Sequence, residues 1–258
     1  MGHAIARGGI YDLAVTEAIF RLVRRGDTAI DVGANVGYMT SIMACRVGTQ
    51  GRVISFEPQP EIFASLEANL RNWQSGEVPI GEVTLHRVAL SDVTAVRSLH
   101  IPREHDANHE RASFRGFEEE HASIEVQAMR LDDVSLPPGE IALLKLDIER
   151  HELEVLRGAE SSIAAVRTVI VEEHEEPPTP VTELLVACGF SLFTVGETFL
   201  GPLLRPLEPS VPHAGWGPPN VIATRDPALL KAALEPRGWH SLGERNPLNV
   251  MLRRSAAA

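Results

Sequence analysis

The sequence predicts an α/β protein with a mostly parallel sheet, on three observations. Short strand-like runs alternate with segments of helical periodicity, in the order α-β-α-β-α-β, an insertion, then β-α-β-α-β-β. Residues 141–148 are mostly apolar, as in a strand buried on both faces. A glycine-bearing turn, Gly33-Ala34-Asn35-Val36-Gly37, joins the first strand to a helix, where backbone N–H groups can approach a ligand. Antiparallel edge strands are expected at the C-terminal end of the sheet.

Each element has a local reason. Tyr11 to Arg25 carries Val15, Ile19, Leu22 and Val23 at helical spacing and ends on Arg24-Arg25-Gly26, a basic turn with a glycine stop. Thr28 to Val32 is the first strand. The helix after the turn has Met39, Ile42, Met43 and Val47 on one side. Arg52 to Phe56 is a second strand that stops at Glu57-Pro58, where the proline keeps the next helix from starting earlier. That helix runs from about Gln59 to Trp73, with Phe63, Leu66, Leu70 and Trp73 inward. Val83 to Leu90 reads as a third strand, closed by Ser91-Asp92.

From Val93 to Val134 the pattern changes. Residues 96–101 and 124–129 alternate like half-exposed antiparallel strands. The polar, acidic stretch between them, Pro102 to Ala122, reads either as a solvated loop or as a lid over a substrate. Alternation then resumes with a strand from Ile141 to Ile148 and a helix from about Arg150 to Ala165. Val169-Ile170-Val171 opens a further strand that runs into Glu172-Glu173-His174-Glu175-Glu176. After Pro177-Pro178 comes a helix from Val181 to Cys188. Phe190 to Val195 and Asn220 to Thr224 are short strands separated by a Gly/Pro-rich loop, Gly196 to Pro219, and a last helix follows Asp226-Pro227. No linker separates two cores, so residues 1–258 read as one domain. It has an N-terminal helical segment over 1–27, a β insertion over 93–134 and a helical tail over 226–258.

Composition narrows the partners. A formal net charge of −11 disfavours a nucleic-acid backbone, which demands concentrated positive charge. Cys45 and Cys188 are too few for a disulfide framework, which makes a reducing cytoplasm the default compartment. No stretch has the length of a membrane-spanning helix. The expected partner is therefore a small molecule or glycan. A homo-oligomer is compatible with the sequence, which does not decide the point.

The turn also discriminates between cofactors. Its glycines do not make the G-x-G-x-x-G pattern of dinucleotide sites, because Asn35 stands where the middle glycine would let a pyrophosphate lie on the backbone. Asp31, just before the turn, would repel a phosphate and suit an ammonium group. No phosphate-binding G-x-x-x-x-G-K-[ST] loop is present. S-adenosylmethionine, with an ammonium, a ribose and an adenine but no phosphate, meets these constraints. Glu57, at the end of the second strand, is placed to accept from the ribose hydroxyls, and Ala89 to Asp92 to flank the adenine.

These residues resemble a known family. Asp31 to Tyr38, Ser55-Phe56-Glu57-Pro58 and Val88-Ala89-Leu90-Ser91-Asp92 come first. They are followed by Leu144-Lys145-Leu146-Asp147-Ile148-Glu149 with Glu152, Val155-Leu156-Arg157-Gly158-Ala159 and Val169-Ile170-Val171-Glu172. In order and spacing they resemble the FkbM-type methyltransferases, S-adenosylmethionine-dependent enzymes that mostly methylate hydroxyl groups of sugars and polyketide-like natural products. The resemblance spans about Tyr11 to Arg225. It implies a Rossmann-like class I methyltransferase fold, with a mostly parallel seven-stranded sheet, helices on both faces and an antiparallel C-terminal strand. The residues and the resemblance together assign cofactor contacts to Asp31, Gly33, Asn35, Gly37, Tyr38, Glu57, Pro58, Ala89, Leu90 and Asp147. The chain departs from the family at Arg150-His151, where small residues, commonly glycine first, are usual.

Methyl transfer to an alcohol needs collinear alignment and a base for the leaving proton. Asp147 is a candidate base or cofactor ligand. Lys145, unusual in a buried strand, is expected to pair with Asp147 or Glu172. His174, on the side of the strand that carries Glu172, is the first choice of base because imidazole titrates near neutrality; the plainer reading is a solvent-facing residue. The carboxylates at 147, 172, 173, 175 and 176 raise metal assistance, yet no metal-loop spacing is present, and no metal is assigned. Rival readings are a non-catalytic cofactor-binding or partner protein, a methyltransferase acting on protein side chains, and a nicotinamide dehydrogenase.

Overall fold

The structure, a computed structural model, describes residues 10–102, 114, 121–207 and 220–242. The first helix, α1 (Leu13–Leu22), is capped by Asp12, whose side chain accepts from the Val15 N–H. Then come β1 (Thr28–Val32), α2 (Tyr38–Val47), β2 (Arg52–Phe56), α3 (Pro60–Gln74) and β3 (Glu82–His86). The middle of the chain contributes β4 (Ala89–Leu90), β5 (Ala95–Pro102), β6 (His121–Met129) and β7 (Ile141–Leu146). It closes with α4 (Glu152–Arg157), β8 (Thr168–Glu172), α5 (Pro180–Ala187), β9 (Ser191–Thr198), β10 (Gly201–Pro206), β11 (Asn220–Thr224) and α6 (Pro227–Leu234).

The main sheet has eight strands in the order β10-β9-β11-β8-β7-β1-β2-β3. The five from β8 to β3 pair in parallel. β11 pairs antiparallel with both β8 and β9, and β10 with β9. Strand order reverses between β1 and β7, which opens a crevice at their C-terminal ends.

Strand alternation sends side chains to opposite faces. Ala29, Leu143 and Ile170 pack with α1, α2 and α6, while Ile30, Leu144 and Val169 pack with α4 and α5. Helices thus cover both faces, and every residue of β7 is buried. Helix α3 docks through Leu66, Leu70 and Trp73.

Four expectations need correction. The sheet has eight strands rather than seven, because part of the loop read over 196–219 forms β10 as a hairpin with β9. The third strand does not run to Leu90. It ends at His86, and Ala89–Leu90 leaves the main sheet to pair with Ala128 and Met129 in a second, three-stranded sheet, β4-β6-β5. β7 ends at Leu146, short of Ile148, because the chain turns through Glu149 and Arg150 at positive φ. For the same reason the helix after it starts at Glu152, and it stops at Arg157 rather than Ala165. The lid or loop expected over 102–122 lies outside the described residues except at its ends and at Phe114.

Candidate active site

The crevice holds a cavity of about 260 Å³. Its floor is the turn after β1. Gly33, Asn35 and Gly37 all have positive φ, at 74°, 52° and 95°. Asn is among the few non-glycine residues that enter this region readily. Gly33 is obligatory for a second reason: a Cβ there would stand 2.0 Å from the Asp147 carbonyl oxygen, so β1 and β7 could not close up. The Gly33 and Ala34 N–H groups both donate to the Phe56 carbonyl, which ties the turn to the end of β2.

Glu57 sits at the centre of the cavity wall, nine-tenths or more buried. One carboxylate oxygen accepts from the Asn35 N–H at 3.0 Å and the other from the Gln59 N–H at 2.9 Å. Each oxygen keeps a further lone pair for a ligand hydroxyl. Burial pushes its pKa up to about 7 against the pull of those two hydrogen bonds. To one side, Ile62, Val88, Ala89, Leu90, Leu99 and Phe114 form an apolar slot suited to a flat base, with Pro58 beside it. To the other, Tyr11, Asp147, Ile148, Glu149 and Glu172 line the end of the crevice.

A charged network underlies that end. Asp31 and Lys145 are register partners on β1 and β7. The Lys145 ammonium lies 3.2 Å from Asp31 and 3.3 Å from Asp147, and donates to the Gly33 carbonyl. Burial alone would push the ammonium down, but the two carboxylates outweigh it and hold Lys145 above its usual range. Asp31 also accepts from the Thr40 hydroxyl at 2.6 Å. Burial would raise Asp147, yet Lys145 and a hydrogen bond from Glu172 keep it ionised. Burial and the Asp147 charge drive Glu172 up to about 8, so near neutrality the two carboxyls share a proton. His174 stands behind them, 3.7 Å from Glu152 and 4.0 Å from Glu172. The Glu152 carboxylate nearby raises its pKa and burial opposes it.

Of the residues assigned from sequence, Gly33, Asn35, Glu57, Pro58, Ala89, Leu90, Asp147 and Glu172 line the cavity. Asp31, Lys145, Gly37, Tyr38 and His174 do not. Asp31 faces α2 and meets the Lys145 ammonium rather than open space, because alternation along β1 turns it away from the crevice. Gly37 packs against α3, where a Cβ would be 2.5 Å from Leu66 and 2.6 Å from Trp73. Tyr38 is buried, with its hydroxyl accepting from Thr16.

Among the lining residues not assigned from sequence are Tyr11 and His151. Tyr11 precedes the cap of α1 and carries no motif. His151 appeared only as part of a departure from the family pattern. It is buried, 3.0 Å from the Ser91 hydroxyl, with its ring 4.6 Å from that of Phe114. Burial lowers its pKa despite the Glu154 carboxylate nearby, so the imidazole is neutral.

No lysine or arginine lines the cavity among the described residues, while Glu57, Asp147, Glu149 and Glu172 do. With its strand order and an acidic crevice at the strand ends, the molecule is of the methyltransferase class. Comparison with known proteins identifies the branch. The FkbM methyltransferase domain matches residues 31–192, and the chain belongs to that family. It is 32% identical over 185 residues to the hexuronic acid methyltransferase AglP of Haloferax volcanii, covering 68% of this chain and 70% of that one. It is 30% identical over 195 residues to the 31-O-demethyl-FK506 methyltransferase FkbM of Streptomyces tacrolimicus, covering 66% of this chain and 75% of that one. A solved FkbM methyltransferase from Methylobacillus flagellatus superposes with a TM-score of 0.45 at 13% identity, covering 86% of this chain and 57% of that one. Among the described residues no helix is long and apolar enough to cross a membrane.

Proposed function

We propose that the cavity binds S-adenosylmethionine and that the enzyme methylates a hydroxyl of a sugar, glycan or natural-product small molecule in the cytoplasm. The observation that carries this is the lining itself. A buried carboxylate with free lone pairs stands between an apolar slot and an acidic end, and no cation is present among the described lining residues to hold a phosphate. A nicotinamide dinucleotide, with its pyrophosphate, is a poor match for such a site. A cationic nucleoside matches it, with Glu57 on the ribose hydroxyls and the base among Ala89, Leu90 and Phe114. Two of the relatives carry names that point to a hexuronic acid and to 31-O-demethyl-FK506, which supports an oxygen acceptor.

When bound, S-adenosylmethionine supplies a methyl group activated by its sulfonium. The protein's share is alignment and proton removal. Asp147 and Glu172 line the acceptor end and are matched to neutral pH as a pair. A positive charge nearby favours loss of their shared proton, which leaves the pair ready to take the one released by the alcohol. Lys145 holds Asp147 in place from below. His174 acts through Glu172 and does not itself line the cavity.

Incubation with methyl-labelled S-adenosylmethionine and a panel of neutral and carboxylated methyl glycosides tests the reading. Glycoside-dependent formation of S-adenosylhomocysteine, unchanged after exhaustive EDTA dialysis, is expected. Label that reaches only added protein, with every glycoside inert, would overturn it.

A further inference from the structure

We propose that Tyr11 binds the methyl acceptor, its hydroxyl forming a hydrogen bond at the point where the methyl group changes hands. The proposal rests on the cofactor reading above and adds a residue from outside the parallel-strand ends. Tyr11 lines the main cavity beside Asp147 and Glu172, and these three also line a smaller hollow behind it. Among the described residues its hydroxyl has no hydrogen-bond partner, although the ring is firmly held. The ring meets Tyr38 edge-on at 6.4 Å, and the Tyr11 carbonyl accepts from the Thr16 hydroxyl at 2.8 Å.

The backbone that delivers Tyr11 is strained. Asp12, the next residue, has φ of 40° and is fixed from two sides, by the Val15 N–H at 3.0 Å and by the Asn220 amide on β11 at 2.8 Å. Left-handed non-glycine residues persist where surrounding contacts over-determine them, and they cluster at functional sites. Here the constrained cap holds Tyr11 in the same cavity walls as the carboxyl pair. Burial and the charges of Asp147, Glu172 and Asp12 outweigh Lys145 and push the phenol up to about 12. Tyr11 therefore stays protonated and serves as a hydrogen-bond partner for an acceptor oxygen, leaving proton removal to the carboxyls.

Sinefungin tests this without the natural acceptor, because it carries an amine where S-adenosylmethionine carries the transferable methyl. In calorimetry on the full chain, Tyr11→Phe keeps the ring packing. Its affinity for S-adenosylhomocysteine should stay within about twofold of wild type, while its affinity for sinefungin falls about tenfold, the worth of one hydrogen bond to a charged group. Equal affinities of Tyr11→Phe and wild type for sinefungin, or equal losses for both ligands, would overturn the role of Tyr11 and leave the cofactor reading standing. Wild-type protein that binds neither ligand would instead remove the cofactor reading, and this inference with it.

Discussion

Arg150 shows how much a single backbone angle reveals. It has φ of 72°, next to Glu149 at 52°, and its side chain is exposed. The glycine usual in the family meets that angle without strain, whereas Arg does not. Arg150→Gly should therefore stabilise the protein by about 0.5–1 kcal/mol, after allowing for the looser unfolded chain, and raise Tm by about 2–3 °C. A lower Tm in a thermal melt would show that the arginine side chain matters more than its backbone. Glu57 makes a pH prediction in which two signs oppose. Its folded pKa of about 7 lies above the ordinary 4.5, so the fold gains a proton and loses stability as pH rises between those values. The ribose role proposed for Glu57 needs the ionised carboxylate, so cofactor affinity is expected to move the other way. S-adenosylhomocysteine should bind about tenfold more weakly at pH 6 than at pH 8, and Glu57→Gln should bind weakly with a flat profile. Equal wild-type affinity at both pH values would contradict the assignment.

At the scale of elements, legibility followed the range of the interaction. The β1–turn–α2 unit, Glu57 after β2 and the apolar run of β7 are written in local pattern, and they form where expected, β7 ending two residues early. β4 is not: its partner, β6, lies across the whole insertion, and nothing near Ala89 announces that the chain leaves the main sheet. Asp31 likewise reads locally as facing a ligand, while the β1–β7 register sets it against Lys145. Tyr11 and His151 reach the cavity only through tertiary packing, from the start of the chain and from the turn after β7. The close approach of β1 and β7 can be tested at Gly33. In Gly33→Ala the Cβ would meet the Asp147 carbonyl at 2.0 Å with φ at 74°. A loss of at least about 2 kcal/mol is expected, together with loss of S-adenosylhomocysteine binding. Unchanged denaturant midpoints would refute that contact.

On the scale of the whole molecule, the reversal of strand order between β1 and β7 creates the crevice, and the strand ends supply its chemistry. β2 brings Glu57, β7 brings Asp147 and β8 brings Glu172, with Lys145 joining β1 to β7 beneath them. The second sheet and Phe114 wall the apolar end, and Tyr11, just ahead of the α1 cap, lines the acidic end. The central claim is that this crevice is a site for a cationic, phosphate-free nucleoside cofactor. Calorimetric titration of the wild-type chain with S-adenosylhomocysteine and, separately, with NAD tests it most directly: micromolar one-to-one binding of the first and none of the second is predicted, whereas binding of NAD alone would contradict it.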